Sequence, residues 1–362
     1  MPKLKVGVIG TGALGRHHAR LYAQSPNAEM IGIFDVQHEA AQKVGEEFGL
    51  KVFEKWEDLA AECDALSVAV PANYHAQTTI PLLEMGKHVL VEKPVSVQKK
   101  TALQLLDAVK KHPELKVAAM FNQRTLPAHI KIKKLLESGE LGKIRRICWT
   151  ITNWFRTQAY YDSGDWRATW GGEGGGVLLN QCPHQLDLWQ WICGMPVKVQ
   201  SHLHYGKWHD IEVEDDVTAY FEYPDGMTAT FITSTGEAPG TNRLEISCER
   251  GRVVLENNKI TFNRTEMPVS EFRSTTDTLF GAPPCWNIDV PIPGDSLNGM
   301  YHKEVLRRFG EAILNGGELV AHGEEGLNSV ELANAMLYSF SAAILLVISS
   351  VSSDRRGSSY WR

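Results

Sequence analysis

The sequence predicts a two-domain protein of the α/β class, in which a parallel, doubly wound sheet is followed by an α+β domain with a largely antiparallel sheet. From residue 3 to about residue 122, apolar strand-like runs alternate with helix-like segments, which is typical of a doubly wound sheet. After Leu126, alternating apolar and polar runs separated by turn residues indicate antiparallel strands. The chain has 362 residues, and single hydrophobic cores stop growing at roughly 250–300 residues. We therefore expect two domains, over residues 1–122 and 123–362.

Composition narrows the classes of function. Hydrophobic residues make up 43% and charged residues 22% of the chain, as in soluble globular proteins. A formal net charge of −6 without a basic cluster argues against nucleic acid as a partner. The apolar run Ala342–Ile348 is too short to cross a membrane, which takes about 20 residues.

Two features of the sequence predict a cytoplasmic protein. The first residues lead directly into an apolar strand-like run, which leaves no room for a signal peptide. The six cysteines include no Cys-x-x-Cys pair and several lie inside apolar runs, so we expect free thiols in a reducing compartment.

Five apolar runs predict the strands of the first domain. They are Lys5–Ile9, Met30–Phe34, Ala65–Val70, His88–Val91 and Lys116–Phe121. Ligands of parallel sheets bind outside the carboxyl ends of the strands. The segments that we expect at this edge are Gly10–Gly15, Asp35, Val70–Asn73, Glu92–Pro94 and Asn122–Arg124.

The first of these segments has the glycine spacing of a dinucleotide fingerprint. Gly10 permits a tight turn, Gly12 lets the backbone approach a pyrophosphate, and Gly15 lets the next helix lie close to the strand. Ala13 and Leu14 stand where the first N–H groups of that helix face the phosphates. The strand–turn–helix setting predicts a Rossmann domain; the alternative is a glycine-rich turn that binds no nucleotide.

An acidic residue at the end of the second run indicates which dinucleotide is bound. Asp35 follows Gly15 by twenty residues, and its carboxylate can accept both ribose hydroxyls of NAD. It would repel the 2′-phosphate of NADP, and Val36 is followed by no nearby Arg or Lys that could hold a phosphate. We therefore expect NAD in preference to NADP.

The second domain is predicted from a different pattern. Its strand-like runs are Arg145–Asn153, Val197–Tyr205, Asp216–Tyr223, Met227–Ser234, Arg243–Cys248 and Arg252–Glu256. Its helix-like segments are Ala128–Ser138, Pro183–Ile192 and Tyr301–Leu314.

Lys93 is the first candidate for chemistry. Pro94 disfavours helical geometry at the residue before it, so the loop stays extended. An ammonium there would enter the cleft beside the nicotinamide, where burial and the positively charged ring lower its pKa. A solvated surface lysine is the alternative.

The glycine run Gly174–Gly176 and the residues after it form the second candidate. Asn180 and His184 are four apart at a helix start, so both side chains can point into one cleft. Asp187, three residues after His184, could orient the imidazole and raise its basicity. The alternative is a core histidine that the aspartate satisfies. We expect no metal, because no Cys–His ligand spacing is present.

Residues just before the glycine run suggest the substrate class. Trp154, Trp166 and Arg167 offer aromatic faces and a guanidinium, as a carbohydrate site needs to stack on C–H faces and hold hydroxyls. These residues could equally belong to the core or an interface. Arg124 is a further candidate donor in the cleft, and Asn180 and Asp187 are further candidates for contacts with the substrate.

These motifs together resemble the glucose–fructose oxidoreductase/inositol dehydrogenase/rhizopine-catabolism (Gfo/Idh/MocA) family. The resemblance covers nearly the whole chain and rests on Gly10–Gly15, Asp35, Pro71–His75, Glu92–Pro94 and the pattern GGGxxxNxxxHxxD from Gly174. It implies a Rossmann domain followed by a domain with an open-faced sheet, and hydride transfer between a nicotinamide and a carbinol of a sugar or cyclitol.

The resemblance also implies roles for individual residues. Lys93 matches the family lysine that binds and helps deprotonate the reacting hydroxyl, and His184 matches the histidine acid/base. Further residues expected to contact the cofactor are Pro71, Asn73, His75, Glu92 and Asn122.

Two positions depart from the family pattern. Many members carry aspartate where this chain has Asn180, and an amide cannot take a proton, so proton removal falls to His184 or Lys93. We expect Asn180→Asp to remain active, because it restores the commoner residue. The tail Ser349–Arg362 is rich in serine and arginine and shows no clear pattern.

The function expected is NAD-dependent oxidation of a secondary hydroxyl on a sugar, glycoside or cyclitol. Two alternatives remain: a reductase or internal-redox enzyme that recycles its NAD, and a non-catalytic nucleotide-sensing regulator. Retention of both Lys93 and His184 argues against the regulator. An open-faced sheet leaves an apolar face that needs cover, so we expect a homodimer or homotetramer.

Overall fold

The computed structural model describes residues 3–294, 297 and 299–341, together with the backbone of residues 346–347. The side chains of the apolar run Ala342–Ile348 and the tail Ser349–Arg362 lie outside the described residues. Within the part of the chain that is described, no helix is long and apolar enough to cross a membrane.

The first half of the chain forms a five-stranded parallel sheet, as predicted. Its strands are β1 Leu4–Ile9, β2 Ala28–Phe34, β3 Ala65–Val68, β4 His88–Val91 and β5 Val117–Ala119. Their order in the sheet is β2-β1-β3-β4-β5, so the chain reverses direction across the sheet between β1 and β3. Such a reversal opens a crevice at the carboxyl edge, where ligands bind.

Helices cover both faces of this sheet. They are α1 Ala13–Ala23, α2 His38–Phe48, α3 Trp56–Glu62, α4 His75–Glu84 and α5 Lys99–Lys111, and α6 Pro127–Glu137 follows at the junction with the second half. Strands β3 and β5 are buried at every residue. Burial on both faces explains why these strands appear in the sequence as continuous apolar runs.

The second half contains a nine-stranded sheet. Its strands are β6 Ile144–Ile151, β7 Lys198–Tyr205, β8 Glu214–Glu222, β9 Thr228–Ser234, β10 Asn242–Cys248, β11 Gly251–Glu256, β12 Lys259–Thr265, β13 Cys285–Val290 and β14 Leu346–Val347. Their order is β13-β12-β11-β10-β6-β9-β8-β7-β14. Only the β6–β9 pair is parallel among these described strands. The predicted fold class is confirmed, although the sequence interpretation had missed β12, β13 and β14.

One face of the large sheet is packed and the other is open. The packed face carries an aromatic cluster in which Trp189 contacts Phe221 and Phe231 at ring-centroid distances of 5.1 and 5.8 Å. Trp189 belongs to α8 Pro183–Cys193, which lies between this face and the first domain. The shorter helices α7 Gln158–Tyr161 and α9 Val269–Thr275 lie in connecting segments.

The last two helices return to the first domain. In α10 Tyr301–Asn315, the side chains of Val305 and Phe309 pack in one core cluster with Leu4 of β1. The sequence interpretation missed α11 Glu325–Ser341, which packs against α5, α8 and β7. Because α11 is buried on several sides, its sequence lacks the polar stripe by which surface helices are recognised.

Candidate active site

The glycine turn has the geometry that a bound dinucleotide requires. Gly10 has φ of +92°, and a Cβ added to Gly15 would lie 1.8 Å from the carbonyl oxygen of Gly10. A Cβ added to Gly12 would instead meet nothing within 4 Å. Gly12 also caps α1 without any side-chain hydrogen bond, and Ala13 and Leu14 form its first turn. Unpaired N–H groups at this helix start therefore face open space, as a pyrophosphate site needs.

Asp35 lies beside this turn at the end of β2. Its Oδ2 accepts hydrogen bonds from the main-chain N–H and the hydroxyl of Thr11, at 2.6 and 2.9 Å. Its Oδ1 accepts the N–H of Gln37 at 2.9 Å. The carboxylate is thus held in place by the glycine turn, and Oδ1 keeps a lone pair for a ligand, whereas Thr11 takes both lone pairs of Oδ2.

The loop after β4 brings Lys93 into the contact between the domains. Its Nζ donates a hydrogen bond to the main-chain oxygen of Asn180, 3.1 Å away. Burial lowers the pKa of the Lys93 ammonium, although the charges of Glu92 and Glu173 oppose this shift. The Lys93–Pro94 peptide bond is cis.

Glu92 faces away from this contact, towards α1. Its Oε1 lies 2.9 Å from Nε2 of His18, whose Nδ1 is 2.7 Å from the hydroxyl of Ser67. Burial disfavours the ionised form of Glu92, but the hydrogen bond from His18 and the charges of His18, His302 and Lys93 together outweigh it and lower the carboxyl pKa to about 2. Glu92 is therefore a buried anion that lies next to Lys93 in the chain.

Three residues predicted to contact the cofactor have other contacts in the structure. His75 is buried, and its two ring nitrogens lie 2.6 Å from the oxygen of Pro94 and 2.8 Å from that of Val70. Asn73 donates its amide to the main-chain oxygens of Gly171 and Gly172. Glu92 pairs with His18, as described above. These contacts position the loops of the site, and the buried Oδ1 of Asn73 has no hydrogen-bond partner among the described residues. Pro71 is exposed and precedes the 3₁₀ turn Ala72–Tyr74.

His184 is the second residue of α8 and is packed beneath the cleft. Burial, followed by the charge of Lys93, lowers the pKa of its imidazole to about 3. Its Nδ1 is buried and has no hydrogen-bond partner among the residues that the structure describes. Its ring lies edge-on to Phe121 with a centroid distance of 6.2 Å. His184 is therefore a neutral base.

The predicted pairing of Asp187 with His184 is wrong. Arg124 takes the carboxylate instead, through Nε to Oδ2 at 2.8 Å and Nη2 to Oδ1 at 2.6 Å. Arg124 also donates to Glu325 of α11 at 2.9 Å. Both Arg124 and Asp187 are at least 95% buried. A bidentate guanidinium wins over an imidazole because it offers two parallel N–H donors and a permanent charge. Neither residue is free to bind substrate as predicted.

The aromatic segment before the glycine run has mixed surroundings. Trp154 is partly buried and packs against the core of the second domain. Trp166 is half exposed, and the guanidinium of Arg167 lies 4.5 Å from its ring. Arg167 also donates to the hydroxyl of Tyr160 at 3.1 Å. Trp166 thus keeps an accessible aromatic face, whereas Trp154 belongs mostly to the core.

The structure adds two polar side chains that the sequence interpretation missed. His302 of α10 lies with its Nδ1 3.0 Å from the amide nitrogen of Asn122, which leaves the buried Oδ1 of Asn122 without a partner among the described residues. Glu173 accepts a hydrogen bond from the side-chain amide of Asn180. Glu173 stands between Gly172 and the glycine run Gly174–Gly176, and an acidic residue between glycines was the available signal in the sequence. No group of three or more His, Cys, Asp or Glu residues in the described chain is arranged to hold a metal ion.

Comparison with known proteins identifies the family. Residues 4–120 match the oxidoreductase family with an NAD-binding Rossmann fold, and residues 129–254 match the GFO/IDH/MocA C-terminal domain. The chain belongs to the GFO/IDH/MocA oxidoreductase family. This confirms the resemblance drawn from the motifs and the prediction of an NAD-binding oxidoreductase.

Relatives with assigned activities act on sugars and cyclitols. This oxidoreductase is 24% identical over 342 residues to inositol 2-dehydrogenase of Rhizobium meliloti, covering 93% of this chain and 96% of the relative. It is 29% identical over 385 residues to levoglucosan dehydrogenase of Pseudarthrobacter phenanthrenivorans, covering 94% and 96% of the two chains. The fold matches that of the WlbA dehydrogenase from Bordetella pertussis in complex with NADH and UDP-GlcNAcA, with a TM-score of 0.82 and 23% identity over 96% of this chain and 98% of that one.

The reassignment of Arg124 yields a prediction about stability. We expect Arg124→Ala to lower the free energy of unfolding by about 3–5 kcal/mol, because it leaves the Asp187 carboxylate buried without its partner. Urea unfolding followed by tryptophan fluorescence measures this loss. Arg145→Ala is the matched control, since its ion pair with Glu249 lies at the surface and contributes about 1 kcal/mol or less. Equal losses in the two variants would contradict the structural role of Arg124.

Proposed function

We propose that this oxidoreductase uses NAD to oxidise a secondary hydroxyl of a sugar, glycoside or cyclitol. One observation carries the proposal. The Lys93 ammonium from the carboxyl edge of the first sheet meets the Asn180 segment of the second domain at 3.1 Å. His184 lies near enough to Lys93 for the charge of the ammonium to lower the pKa of its imidazole.

The residues at the glycine turn fit a dinucleotide. Gly12 leaves open the space that a Cβ would fill, and the uncapped start of α1 offers N–H groups to phosphate oxygens. Asp35 offers its Oδ1 to a ribose hydroxyl, and the buried Oδ1 of Asn122, which has no partner among the described residues, offers one more acceptor. The chemistry that NAD supplies here is acceptance of a hydride from the carbinol carbon.

Lys93 is the better matched proton acceptor of the two candidates. A catalytic base works best when its pKa lies near the working pH. Burial moves the pKa of Lys93 down towards that range, whereas burial moves the pKa of His184 away from it, to about 3. Neutral Lys93 would take the hydroxyl proton. His184, which stays neutral, would accept or donate one hydrogen bond and so orient the hydroxyl.

The substrate class follows from the relatives and from the open side of the cleft. Proteins named for inositol and levoglucosan oxidation share most of their length with this chain. Trp166 and Arg167 offer an aromatic face and a cation beside the glycine run. Aromatic faces and charged donors are suited to C–H surfaces and hydroxyls of a polyol.

Removing either base should slow turnover far more than it weakens NAD binding. We expect Lys93→Ala and His184→Ala each to lower kcat at least about a hundredfold, within the 10²–10⁴-fold typical of general acid–base catalysis. Stopped-flow measurement of NADH formation with a panel of polyols and glycosides gives kcat, and calorimetry gives the dissociation constant of NAD. Lys93→Arg separates charge from proton transfer, because arginine keeps the charge and does not lose its proton.

The controls for this prediction lie on the surface. Lys100→Ala changes an exposed lysine of α5 and should leave kcat unchanged. Near-normal turnover in both Lys93→Ala and His184→Ala would exclude the mechanism and favour a nucleotide-sensing regulator. Full activity of Lys93→Arg would exclude Lys93 as the proton acceptor.

Asp35 should make NAD the preferred cofactor. We expect NAD to bind at least tenfold more tightly than NADP, on the order of 1.4 kcal/mol, because the carboxylate repels a 2′-phosphate. Calorimetric titration with both nucleotides measures the ratio. Asp35→Ser combined with Val36→Arg should shift the preference towards NADP, and equal affinities in the unaltered protein would refute the assignment.

We also propose a cytoplasmic dimer or tetramer joined through the open face of the large sheet. Tyr220 of β8 lies on this face and is 37% exposed, whereas its neighbours Ala219 and Phe221 point into the core. All six cysteines are free, which agrees with a reducing compartment.

Light scattering at micromolar concentration should give a multiple of 40.4 kDa. Tyr220→Glu should weaken the assembly, while Met85→Glu on the first domain should not; a monomer at all concentrations would contradict the proposal.

A further inference from the structure

Glu173 is a buried carboxylate that the mechanism above does not use. It directly precedes the glycine run Gly174–Gly176, between the aromatic segment and α8, and its exposed fraction is 8%. Carboxylates are seldom buried to this degree unless their oxygens are paired. The contacts of Glu173 therefore indicate what the residue does.

Both oxygens of Glu173 are engaged by groups of the site. Oε2 accepts the main-chain N–H of Ala168 at 2.7 Å, and Ala168 has a positive φ of 51°. Oε1 accepts a hydrogen bond from the side-chain Nδ2 of Asn180. Glu173 is thus fixed at one end by the backbone and holds Asn180 at the other.

The contact with Glu173 decides which way the Asn180 amide points. A carboxylate without a proton accepts hydrogen bonds and cannot donate them. The amide nitrogen of Asn180 must therefore face Glu173, and the amide oxygen is the atom left for a ligand. At the same time, Lys93 holds the main-chain oxygen of Asn180 at 3.1 Å. Asn180 is oriented from both sides.

Charged groups from two other segments surround Glu173. Burial raises the pKa of the Glu173 carboxyl, against the hydrogen bond from Ala168 and the charges of Arg167 and Lys93. Arg167 belongs to the segment before the glycine run and Lys93 to the loop after β4. The charge of Glu173 in turn opposes the loss of the Lys93 proton.

We propose that Glu173 is a positioning residue of the active site, which turns the Asn180 amide oxygen towards the substrate and carries the negative charge that an aspartate at position 180 would otherwise carry. This inference rests on the proposed function, because it assigns the substrate hydroxyl as the partner of the Asn180 oxygen. The Asn180 oxygen then accepts a hydrogen bond from a hydroxyl of the substrate next to the reacting one, and the proton of the reacting hydroxyl passes to Lys93.

The proposal reverses an expectation drawn from the sequence. Asn180→Asp restores the commoner family residue, but here it would place a second carboxylate against Glu173. Two carboxylates that share a site cannot both ionise easily, so one pKa of the pair rises strongly. We therefore expect Asn180→Asp to be impaired in this chain, and the charge-swapped variant Asn180→Asp/Glu173→Gln to be tolerated.

A double-mutant cycle tests the pair without any substrate. Thermal unfolding of the unaltered protein, Asn180→Asp, Glu173→Gln and the double variant is recorded between about pH 5 and pH 9, the range in which a shared carboxyl proton is lost. In Asn180→Asp the folded state binds the shared proton more tightly than the unfolded chain does. Its stability should therefore be highest at low pH and fall as pH rises through the raised pKa. Glu173→Gln added to Asn180→Asp should remove this fall.

Kinetics then test the positioning role. With a substrate found by NADH formation, Asn180→Asp should lower kcat/KM at least about tenfold at neutral pH, and the double variant should regain most of it with the pH profile of the unaltered enzyme. Glu212→Gln is the matched control, because Glu212 accepts a main-chain N–H of Trp170 in the same segment without contacting Asn180. It should leave the pH profile unchanged.

Each outcome decides one of the two proposals. Coupling in stability without turnover of any substrate would retain the Glu173–Asn180 pair and refute the proposed function. If a substrate is turned over and Asn180→Asp is fully active, the proposed role of the Glu173–Asn180 pair is overturned. It is also overturned if the stability of Asn180→Asp depends on pH in the same way as the stability of the double variant. If Asn180→Asp yields no folded protein, the double variant decides: restored folding and pH profile support the pair, and an unfolded double variant overturns it.

Discussion

The site depends on one hydrogen bond between the domains, from the Lys93 ammonium to the main-chain oxygen of Asn180 at 3.1 Å. A buried cation is stable only where acceptors and negative charges replace the water that it has lost. The loop after β4 supplies the ammonium, and the glycine run before α8 supplies the acceptor. The lowered pKa of Lys93 therefore exists only while the two domains are held in this arrangement.

Contacts at the domain junction provide that arrangement. Arg124 follows the first sheet directly and binds Asp187 of α8 and Glu325 of α11, so three separate parts of the chain meet at one guanidinium. The apolar side of α10 also packs against β1, through residues such as Phe309. Because Arg124 joins the end of the first sheet to α8, moving α8 away from this sheet would break the buried ion pair with Asp187.

Two carboxylates beside Lys93 have different partners, and this separates their roles. Glu92 pairs with His18 and has a pKa lowered to about 2, so it is a permanent anion behind the lysine. Glu173 pairs with an uncharged amide, and burial raises its pKa. The first carboxylate stabilises the buried charge of Lys93, whereas the second holds the side-chain amide of Asn180. Among the described residues Nδ1 of His184 has no hydrogen-bond partner, and burial lowers the pKa of its imidazole to about 3.

Much of the fold was predictable because it is encoded by near neighbours in the chain. Strand–turn–helix order, the glycine spacing of Gly10–Gly15 and the start of α8 at Pro183 follow from local sterics and periodicity. The positions of Lys93 and Asp35 at the carboxyl edge follow from the rule that parallel strands share one edge. The edge strand β13 was missed because it is exposed along most of its length and shows no buried alternation, and α11 because burial on several sides removes its polar stripe.

The choice of partner for each charged residue was decided only by the tertiary structure. Spacing along α8 allowed Asp187 to meet His184, but Arg124, 63 residues away, binds it. Asn180 was recognised as a departure from the family pattern, whereas the carboxylate of Glu173 that faces its amide could not be inferred from spacing. Local sequence determines backbone conformation through sterics and hydrogen bonds between neighbours. Buried polar groups instead pair with whichever residues the packing brings closest, since an unpaired charge in the interior costs far more than any local preference can offset.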